Sequence, residues 1–435
     1  MTGATPGAAR PTGKFGRITP RSARRIRFGA VLAVLGPGIV SGFADNDAGG
    51  ITTYSNAGVQ FGYGLLWVLL ASQVALFFTQ EAGARLGIAT GQGLAGLTRE
   101  RFGVRWAAFI VVTMLVANLG STIAEFAGSG AALGLFGVPL PLATLIAAVA
   151  VVLLISQGSY NRVQYLFVVI GLGVSLAYVF SAFEAPHVDW AFALKSLVVP
   201  VGPYNGLYWL TVVGTVGTTI TPWGQAFIQS YVADKGLKPD ELVAERLDVG
   251  LGALLTNTIA FFIVVACAAT LWQFGLHKPL DNAAQAATAL EPLVGTLAKY
   301  VFAVGLLAAS FLGLGVVPLA SAYSACEAFG WETGVDWRWR EAPAFYGLLV
   351  FFIGFAAATV LIPGLPLIQV MILAQVLNAL LLPIVLIFVM LLSSDRRIMG
   401  DLVSGRFLKG IGWGVTGLLV LLSLVLAVTS VAPTS

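Results

Sequence analysis

A series of apolar runs constrains this chain more than any other feature. The runs recur from about residue 30 to the C-terminus, and each is near the ~20 residues that a helix needs to cross a bilayer core. A backbone inside lipid must satisfy its own hydrogen bonds, which favours helices. Charged residues make up only 10% of the chain, against about 25% in soluble proteins. We therefore predict an all-α integral membrane protein.

The predicted organisation is one transmembrane domain, residues 30–435, preceded by a basic cytoplasmic tail, residues 1–29. The tail is rich in Arg, Pro and Gly and lacks a cleavable signal pattern. We expect it to touch anionic lipid and no nucleic acid. Eleven helices are predicted, at about 30–58, 62–87, 103–131, 138–157, 160–182, 203–232, 249–273, 296–326, 342–363, 365–393 and 407–431.

Basic residues predict the orientation of these helices, because cytoplasmic loops of membrane proteins are enriched in Lys and Arg. With the N-terminus inside, all but three of the 24 Lys and Arg fall in cytoplasmic segments. The exceptions are Lys195, Lys278 and Lys299. The N-terminus is therefore predicted to be cytoplasmic and the C-terminus to lie outside the cell membrane.

Two of the predicted helices are interrupted. The first contains DNDAGG at residues 45–50, and the sixth contains Pro222 with glycines on both sides. Proline removes a backbone donor and disfavours helical geometry at the residue before it. Interrupted helices in equivalent halves of an inverted repeat often form the binding site of a transporter. The repeats would be 30–182 and 203–393, with 407–431 as an extra helix.

The first interruption carries two carboxylates, Asp45 and Asp47. A charged side chain at the centre of a bilayer costs about 2.5–3.5 kcal/mol on insertion scales, and such residues are functional by default. Packing kinks are the alternative explanation of the two interruptions, but they give these carboxylates no purpose. The pattern favours a functional site where the two interrupted helices meet.

The chain resembles the Nramp divalent-metal transporters. The stretch GPGIVSGFADNDAGGITTYSNAGVQFGYGLLW, residues 36–67, is similar without gaps to the family's first-helix region, which carries DPGN and then FGY and LLW. GTTITPW at 217–223 stands where the family has A-x-x-M-P-H. Further matches are IAEF at 123–126, ERLDV at 245–249, LAQVLNALLLP at 373–383 and DRRIMG at 395–400. The resemblance implies a leucine-transporter-type fold with 11 transmembrane helices and a 5+5 inverted repeat.

The resemblance also implies a metal site at the two interruptions. Asp47 matches the metal-binding Asp of DPGN, and Ala44 matches a carbonyl donor in the first helix. Thr218 matches an Ala whose carbonyl contacts the metal, and Thr221 matches a Met whose thioether does. Gln375 matches a tenth-helix Gln that approaches the ion.

The chain departs from the family pattern at several of these positions. Gly50 stands at the Asn of DPGN, so that ligand is missing. Trp223 replaces the His after the proline, and we interpret it as a wall of the cavity. Thr122 stands where proton-coupled members carry an Asp, whereas the nearby Glu125 is kept.

These departures favour a hard cation over a soft one. Thr221 in place of Met removes the soft ligand, and oxygen-only ligation suits Mg²⁺, Ca²⁺ and Mn²⁺. Mg²⁺ usually binds through one or two carboxylates and keeps several waters. The pattern resembles the Nramp-related magnesium transporters. The oxygen candidates are Asp47, Asp45, Thr218, Thr221, Asn46 and Gln375, together with freed carbonyls.

Several candidates have a structural alternative. Asp45 and Asn46 either contact the ion or satisfy backbone groups that the interruption frees. Thr221 either lines the site or bonds to its own backbone. Gln375 and Asn378 either reach the ion pathway or hydrogen-bond neighbouring helices. Glu125 belongs either to a proton or water network or to the end of a helix.

The predicted function is a secondary transporter that imports divalent metal cations, Mg²⁺ and/or Mn²⁺, by alternating access. The alternatives are a proton-coupled Mn²⁺/Fe²⁺ symporter, an organic-solute (amino acid) symporter of the same fold, and a channel. The sequence shows no arrangement of a nucleophile and a base that would indicate an enzyme, and we expect no cofactor. We expect a monomer in the cell membrane. Whether protons are transported together with the metal stays an open alternative.

Overall fold

The computed structural model describes residues 42, 45–156, 160–186, 188–332 and 339–431. The predicted tail, Ala44 and most of the first half of the first predicted helix lie outside these residues. The described residues form helices and connecting turns, with no strand among them.

The longer helices are numbered α1 to α12 in chain order. Their bounds are α1 Ala48–Phe61, α2 Leu66–Thr90, α3 Val104–Leu135, α4 Leu140–Ser156, α5 Tyr160–Glu184, α6 Gly206–Thr219, α7 Pro222–Lys235, α8 Leu242–Cys267, α9 Ala298–Phe329, α10 Pro343–Val360, α11 Leu367–Ser394 and α12 Arg406–Val431. Short helices lie in the connections, among them Leu94–Phe102 between α2 and α3 and Trp190–Ser196 between α5 and α6.

The predicted sixth helix is two helices in the structure. α6 ends at Thr219, and Ile220 and Thr221 have extended backbone angles before α7 begins at Pro222. Pro222 occupies the first helical position of α7, where its missing N–H and fixed φ are tolerated. The interruption predicted from the proline is therefore present, and it is two residues long.

The predicted helix at 249–273 begins earlier, at Leu242. A turn of 3₁₀-helix over Pro239–Glu241 leads into it, and the Glu241 carboxylate accepts a hydrogen bond from the Lys238 N–H at 2.9 Å. This local capping lengthens the helix beyond its apolar part. The sequence pattern detects only the apolar part.

Seven helices of the described residues are long and apolar enough to cross a membrane. They are Val104–Leu135, Phe167–Glu184, Pro239–Trp272, Ala283–Phe329, Pro343–Val360, Leu367–Ser394 and Arg406–Leu426. α1, α6 and α7 have 14 residues each, which is shorter than the ~20 residues of a complete span. The count of eleven spans stays a prediction.

α1 lies at the centre of the molecule. Every residue of it except Phe61 is buried, and it packs against α3, α6, α8, α9 and α11. Its neighbours approach closely because small residues line the contacts: a Cβ on Gly128 of α3 would overlap Ala48 and would lie 2.7 Å from the Ser310 hydroxyl. The position of α1, and of the polar side chains on it, is therefore fixed by the helices that surround it.

Ion pairs join the helices toward the ends that are predicted to be cytoplasmic. Arg85 of α2 pairs with Glu81 at 3.1 Å, and Arg246 of α8 pairs with the same carboxylate at 2.8 Å. Arg101 pairs with Asp395, just after α11, at 2.7 Å. The pKa of Asp395 is lowered, first because its carboxylate accepts a hydrogen bond from the Arg397 N–H and then because Arg101 donates to it.

Candidate cation site

Asp47 caps the first turn of α1. Its Oδ1 atom accepts a hydrogen bond from the Gly50 N–H at 2.7 Å, and the residue is 2% exposed. Asp is among the preferred N-cap residues because it satisfies a backbone donor that has no partner in the helix. The positive end of the helix dipole also stabilises a carboxylate at this point. The local sequence therefore holds one carboxylate at the start of a buried helix.

Glu125 of α3 reaches the same helix end. Its Oε2 atom accepts from the Ala48 N–H at 3.3 Å, while Oε1 is buried with no hydrogen-bond partner. Gly313 of α9 leaves room for the carboxyl group, since a Cβ there would lie 2.7 Å from the Glu125 Cδ atom. Of its two predicted roles, the structure shows the contact with a helix end.

Asp45 connects the two interruptions. Its Oδ1 atom accepts a hydrogen bond from the Thr221 hydroxyl at 3.2 Å. The same hydroxyl caps α7, because it accepts from the Gly224 N–H at 3.1 Å. The second carboxylate oxygen, Oδ2, is buried without a partner. Thr221 thus caps a helix and faces the first interruption at the same time.

Three oxygen atoms converge beside Gly50. The position that a Cβ would occupy lies 2.8 Å from the Asp45 carbonyl oxygen, 3.0 Å from the Thr218 hydroxyl and 3.3 Å from Asp47 Oδ1. The Thr218 hydroxyl has no hydrogen-bond partner. Gly50 keeps this space free of side-chain atoms of its own. The three oxygens therefore face one another across the position where the family pattern has an Asn.

Asn46 is directed to a different neighbour, α8. Its Nδ2 atom donates to the Thr256 carbonyl at 3.4 Å, and the Thr256 hydroxyl donates to the Gly42 carbonyl at 2.6 Å. α8 therefore contacts the chain both before and within the interruption. Asn46 also lines a pocket with residues of α1, α5, α8 and α9, among them Tyr178 and Gly305.

Gln375 of α11 lies against Gly49, since a Cβ there would overlap its Nε2 atom. Its Oε1 atom accepts from Asn378 Nδ2 at 2.9 Å, and Asn378 also contacts the Ser121 hydroxyl of α3. The Nε2 atom has no partner. Gln375 would offer its oxygen to a cation only after its amide turned over. Asn378 would then turn too, which the Ser121 hydroxyl permits because it both donates and accepts.

Thr122 and Trp223 do not contact the converging oxygens through any hydrogen bond in the described part of the chain. The Thr122 hydroxyl donates to the Asn118 carbonyl of its own helix at 2.8 Å. Trp223 is fully buried, and its ring lies 6.2 Å from that of Phe227. Its role as a cavity wall stays a prediction.

Sequence reasoning missed two polar contacts around α1. The Tyr54 hydroxyl lies 2.9 Å from the Thr219 hydroxyl and ties α1 to the end of α6. The Thr52 hydroxyl donates to the Met371 sulfur at 3.6 Å. Polar residues within an apolar helix were the available signal, but the sequence does not say which neighbouring helix they face.

Three acidic side chains lie at the site. Asp45, Asp47 and Glu125 are all buried, and none of them forms an ion pair with Lys or Arg within the described ranges. In this conformation no three His, Cys, Asp or Glu side chains of the described residues cluster closely enough to hold a metal ion. A cation here would be held by carboxylates together with hydroxyl, carbonyl and amide oxygens.

Comparison with known proteins places the sequence in a family. Residues 38–429 match the family described as Nramp, Natural resistance-associated macrophage protein-like. The chain is 28% identical over 413 residues to the divalent metal cation transporter MntH of Klebsiella pneumoniae, which covers 93% of this chain and 94% of that one. It is 27% identical over 379 residues to the MntH of Caldanaerobacter subterraneus, with coverages of 85% and 86%.

Solved structures share the fold of this chain. A mutant of the Eremococcus coleocola manganese transporter superposes with a TM-score of 0.74 at 20% identity, covering 95% of this chain and 89% of that one. MhsT in complex with L-phenylalanine superposes with a TM-score of 0.60 at 15% identity, covering 91% and 98%. At these identities the likeness shows a shared fold. Because the family match spans most of its length, the chain belongs to the Nramp family of multi-pass membrane transporters and is not an enzyme.

Proposed function

We propose that this protein is a secondary transporter that imports divalent metal cations by alternating access, with Mg²⁺ and/or Mn²⁺ as its substrate. The supporting observation is the set of buried oxygens at the two interruptions, three of which surround the Gly50 position. The curated relatives, named as divalent metal cation transporters, support the same substrate class. The remaining parts of this proposal are 11 spans, a 5+5 inverted repeat and a cytoplasmic N-terminus.

The ligand chemistry supports a hard cation that keeps part of its water shell. Asp45 Oδ2, Glu125 Oε1 and the Thr218 hydroxyl are buried oxygens with no hydrogen-bond partner. Such atoms are stabilised by a cation or by the waters that surround one. An organic substrate with a carboxylate would instead be repelled by Asp45, Asp47 and Glu125.

A proton-coupled Mn²⁺ symporter is the second candidate. The observation that favours it is the position of Glu125, whose carboxyl group is bonded to the same turn of α1 as Asp47. A buried acid beside the site is placed to exchange a proton when a cation arrives.

Uptake into proteoliposomes tests these proposals. The purified protein should accumulate Mg²⁺ or Mn²⁺ under an inside-negative voltage, and an excess of amino acids should leave that uptake unchanged. Competition among Mg²⁺, Mn²⁺ and Ca²⁺ ranks the substrates. Uptake of an amino acid without any metal flux would overturn the proposed substrate class.

A further inference from the structure

Two glutamines of α7, Gln225 and Gln229, are fully buried at a depth where polar groups are costly. Both amide atoms of Gln225 and the carbonyl oxygen of Gln229 have no hydrogen-bond partner. A buried amide that loses its water partners without replacement destabilises the state that contains it. The cation site described above uses neither residue, so their presence requires another reason.

The glutamines continue a line that starts at the cation site. Thr221, Gln225 and Gln229 are four residues apart and therefore lie on one face of α7. Thr221 donates to Asp45. At the other end, Gln229 Nε2 donates to the Gln92 carbonyl at 3.0 Å. With a rise of about 1.5 Å per residue the line is roughly 12 Å long, a large part of the distance from mid-bilayer to one surface.

α7 packs against α3 and α9, and these two helices carry further polar side chains. Asn118 Nδ2 donates to the Ser321 hydroxyl at 2.9 Å, and Asn118 Oδ1 is buried without a partner. The Ser230 hydroxyl of α7 donates to Glu327 of α9 at 3.4 Å. Measured along the helix axes from the contact between Ser230 and Glu327, Ser321 lies about 9 Å away on α9 and Gln225 about 7.5 Å away on α7. The Asn118 amide oxygen and the Gln225 amide, which lack hydrogen-bond partners, are therefore at similar depth.

The segment after α2 covers Ser230 of α7 and Glu327 of α9 in the structure. A Cβ on Gly93 would lie 2.6 Å from the Ser230 hydroxyl and would overlap Glu327. Glu327 forms no ion pair with Lys or Arg within the described ranges. Its carboxyl group therefore lies under this covering segment, where a cation leaving or entering would pass.

We propose that Gln225, Gln229 and Asn118 line the passage between the cation site and the membrane face at which α7 ends, the predicted cytoplasmic face, and that Glu327 stands at its mouth. A divalent ion that keeps several waters presents O–H donors on its surface. Amide oxygens accept those hydrogen bonds, whereas apolar side chains would leave them unmade. The proposal rests on the proposed function, because it specifies how a hydrated cation crosses half of the protein.

Thiol accessibility in the full-length protein tests the passage without measuring transport. Gln225→Cys and Gln229→Cys should react with a membrane-impermeant methanethiosulfonate reagent applied from the α7 end, and Mg²⁺ should slow the reaction. Ile228→Cys is the matched control, because Ile228 is buried on α7 among apolar residues. The native Cys267 and Cys326 are buried, and wild-type protein measures their background. Equal, background-level labelling of all three variants would overturn the proposal.

Transport by leucine variants supplies a second test. Gln225→Leu and Gln229→Leu should each lower the maximal Mg²⁺ uptake rate roughly three- to tenfold, the cost of one hydrogen bond, and should leave equilibrium Mg²⁺ binding by calorimetry unchanged. Ile228→Leu should match wild type, and Gln225→Asn should recover part of the rate. Wild-type uptake rates in both leucine variants would overturn the passage, whereas a wild-type protein that moves no divalent metal would overturn the proposed function itself.

Discussion

Asp47 has two roles that one pair of substitutions separates. It caps α1 through the Gly50 N–H, and it supplies a carboxylate to the proposed site. Asp47→Ala should abolish metal uptake and lower stability by about 1 kcal/mol through the lost cap. Asp47→Asn should abolish uptake equally but retain the stability, because Asn is also a good N-cap.

Proteoliposome uptake and thermal unfolding in detergent measure the two effects. If Asp47→Asn transports at the wild-type rate, the residue acts through capping alone and its carboxylate is not a ligand.

Gly50 is expected to be intolerant of any side chain. The Cβ of Gly50→Ala would lie 2.8 Å from the Asp45 carbonyl oxygen and 3.0 Å from the Thr218 hydroxyl, where it would occupy the space between the oxygens. Metal affinity by calorimetry should therefore fall at least tenfold. Gly134→Ala on α3 is the control, because a Cβ there meets nothing within 4 Å. Equal affinities in the two variants would place the ion elsewhere.

Thr221 is the position at which selectivity should change. Thr221→Met introduces a thioether, a soft ligand that favours Mn²⁺ or Cd²⁺ over Mg²⁺. It also removes the hydroxyl that caps α7, so Thr221→Ser, which keeps the cap, is the reference for stability. The measurement is competition among the three ions during uptake. An unchanged Mg²⁺-to-Mn²⁺ ratio in Thr221→Met would show that this side chain does not face the ion.

The sequence predicts which residues are candidates better than it predicts their orientation. Asp45 and Asp47 are conspicuous because carboxylates in an apolar run are costly. Whether Gln375 presents its nitrogen or its oxygen depends on Asn378 and Ser121, which come from two different helices. Gln225 and Gln229 were overlooked because an i, i+4 pair of amides also occurs as packing contacts between membrane helices.

At the scale of elements, interruptions with a local cause were predictable. Pro222 dictates where α7 begins, and the structure has the interruption there. The short helix Leu94–Phe102 was not predicted, because it lies at the edge of the apolar pattern and depends on Gly93 and Gly103 at its ends. Connections of this kind are determined by contacts with several helices and leave a weak trace in one sequence.

Glu81 of α2 pairs with two arginines, Arg85 of α2 and Arg246 of α8. We expect the two pairs to stabilise the fold unequally. Arg85 and Glu81 are each 2% exposed, and Arg85 also donates to the Leu402 carbonyl and the Ser404 hydroxyl before α12. Arg85→Leu should destabilise the protein by about 3–5 kcal/mol, since the buried Glu81 carboxylate loses the partner that is buried with it. Arg246 is 40% exposed, and Arg246→Leu should cost about 0–1 kcal/mol. Equal losses of thermal stability in detergent would contradict this difference in burial.

At the scale of the whole molecule, the apolar runs predict a membrane protein, and the family match confirms a membrane transporter. The orientation that the Lys and Arg distribution indicates stays a prediction. The relative placement of helices was not predictable from periodicity, because helices such as α1 are buried on nearly every face. A helix that is buried on nearly every face has no single apolar face to orient it. Its partners are determined by close contacts such as that between Gly128 and Ala48.

We predict that the membrane voltage is the energy source of the transporter. Metal uptake is expected to have weak proton coupling or none. Thr122 replaces the acid of proton-coupled relatives, and its hydroxyl is bonded to the Asn118 carbonyl. Trp223 replaces the sixth-helix His, so the titratable groups that remain nearby are Glu125 and the two site carboxylates.

Voltage alone can drive a divalent ion, because each of its two charges gains about 2.3 kcal/mol per 100 mV. The measurement is the internal pH of proteoliposomes during Mg²⁺ or Mn²⁺ influx, with the voltage clamped by potassium and valinomycin. We expect metal entry that grows with inside-negative voltage and an internal pH that stays constant. Acidification in step with metal entry at fixed voltage would show proton coupling. Glu125→Gln, which removes the titratable group and keeps an oxygen for the Ala48 N–H, should then abolish the acidification if Glu125 carries the proton.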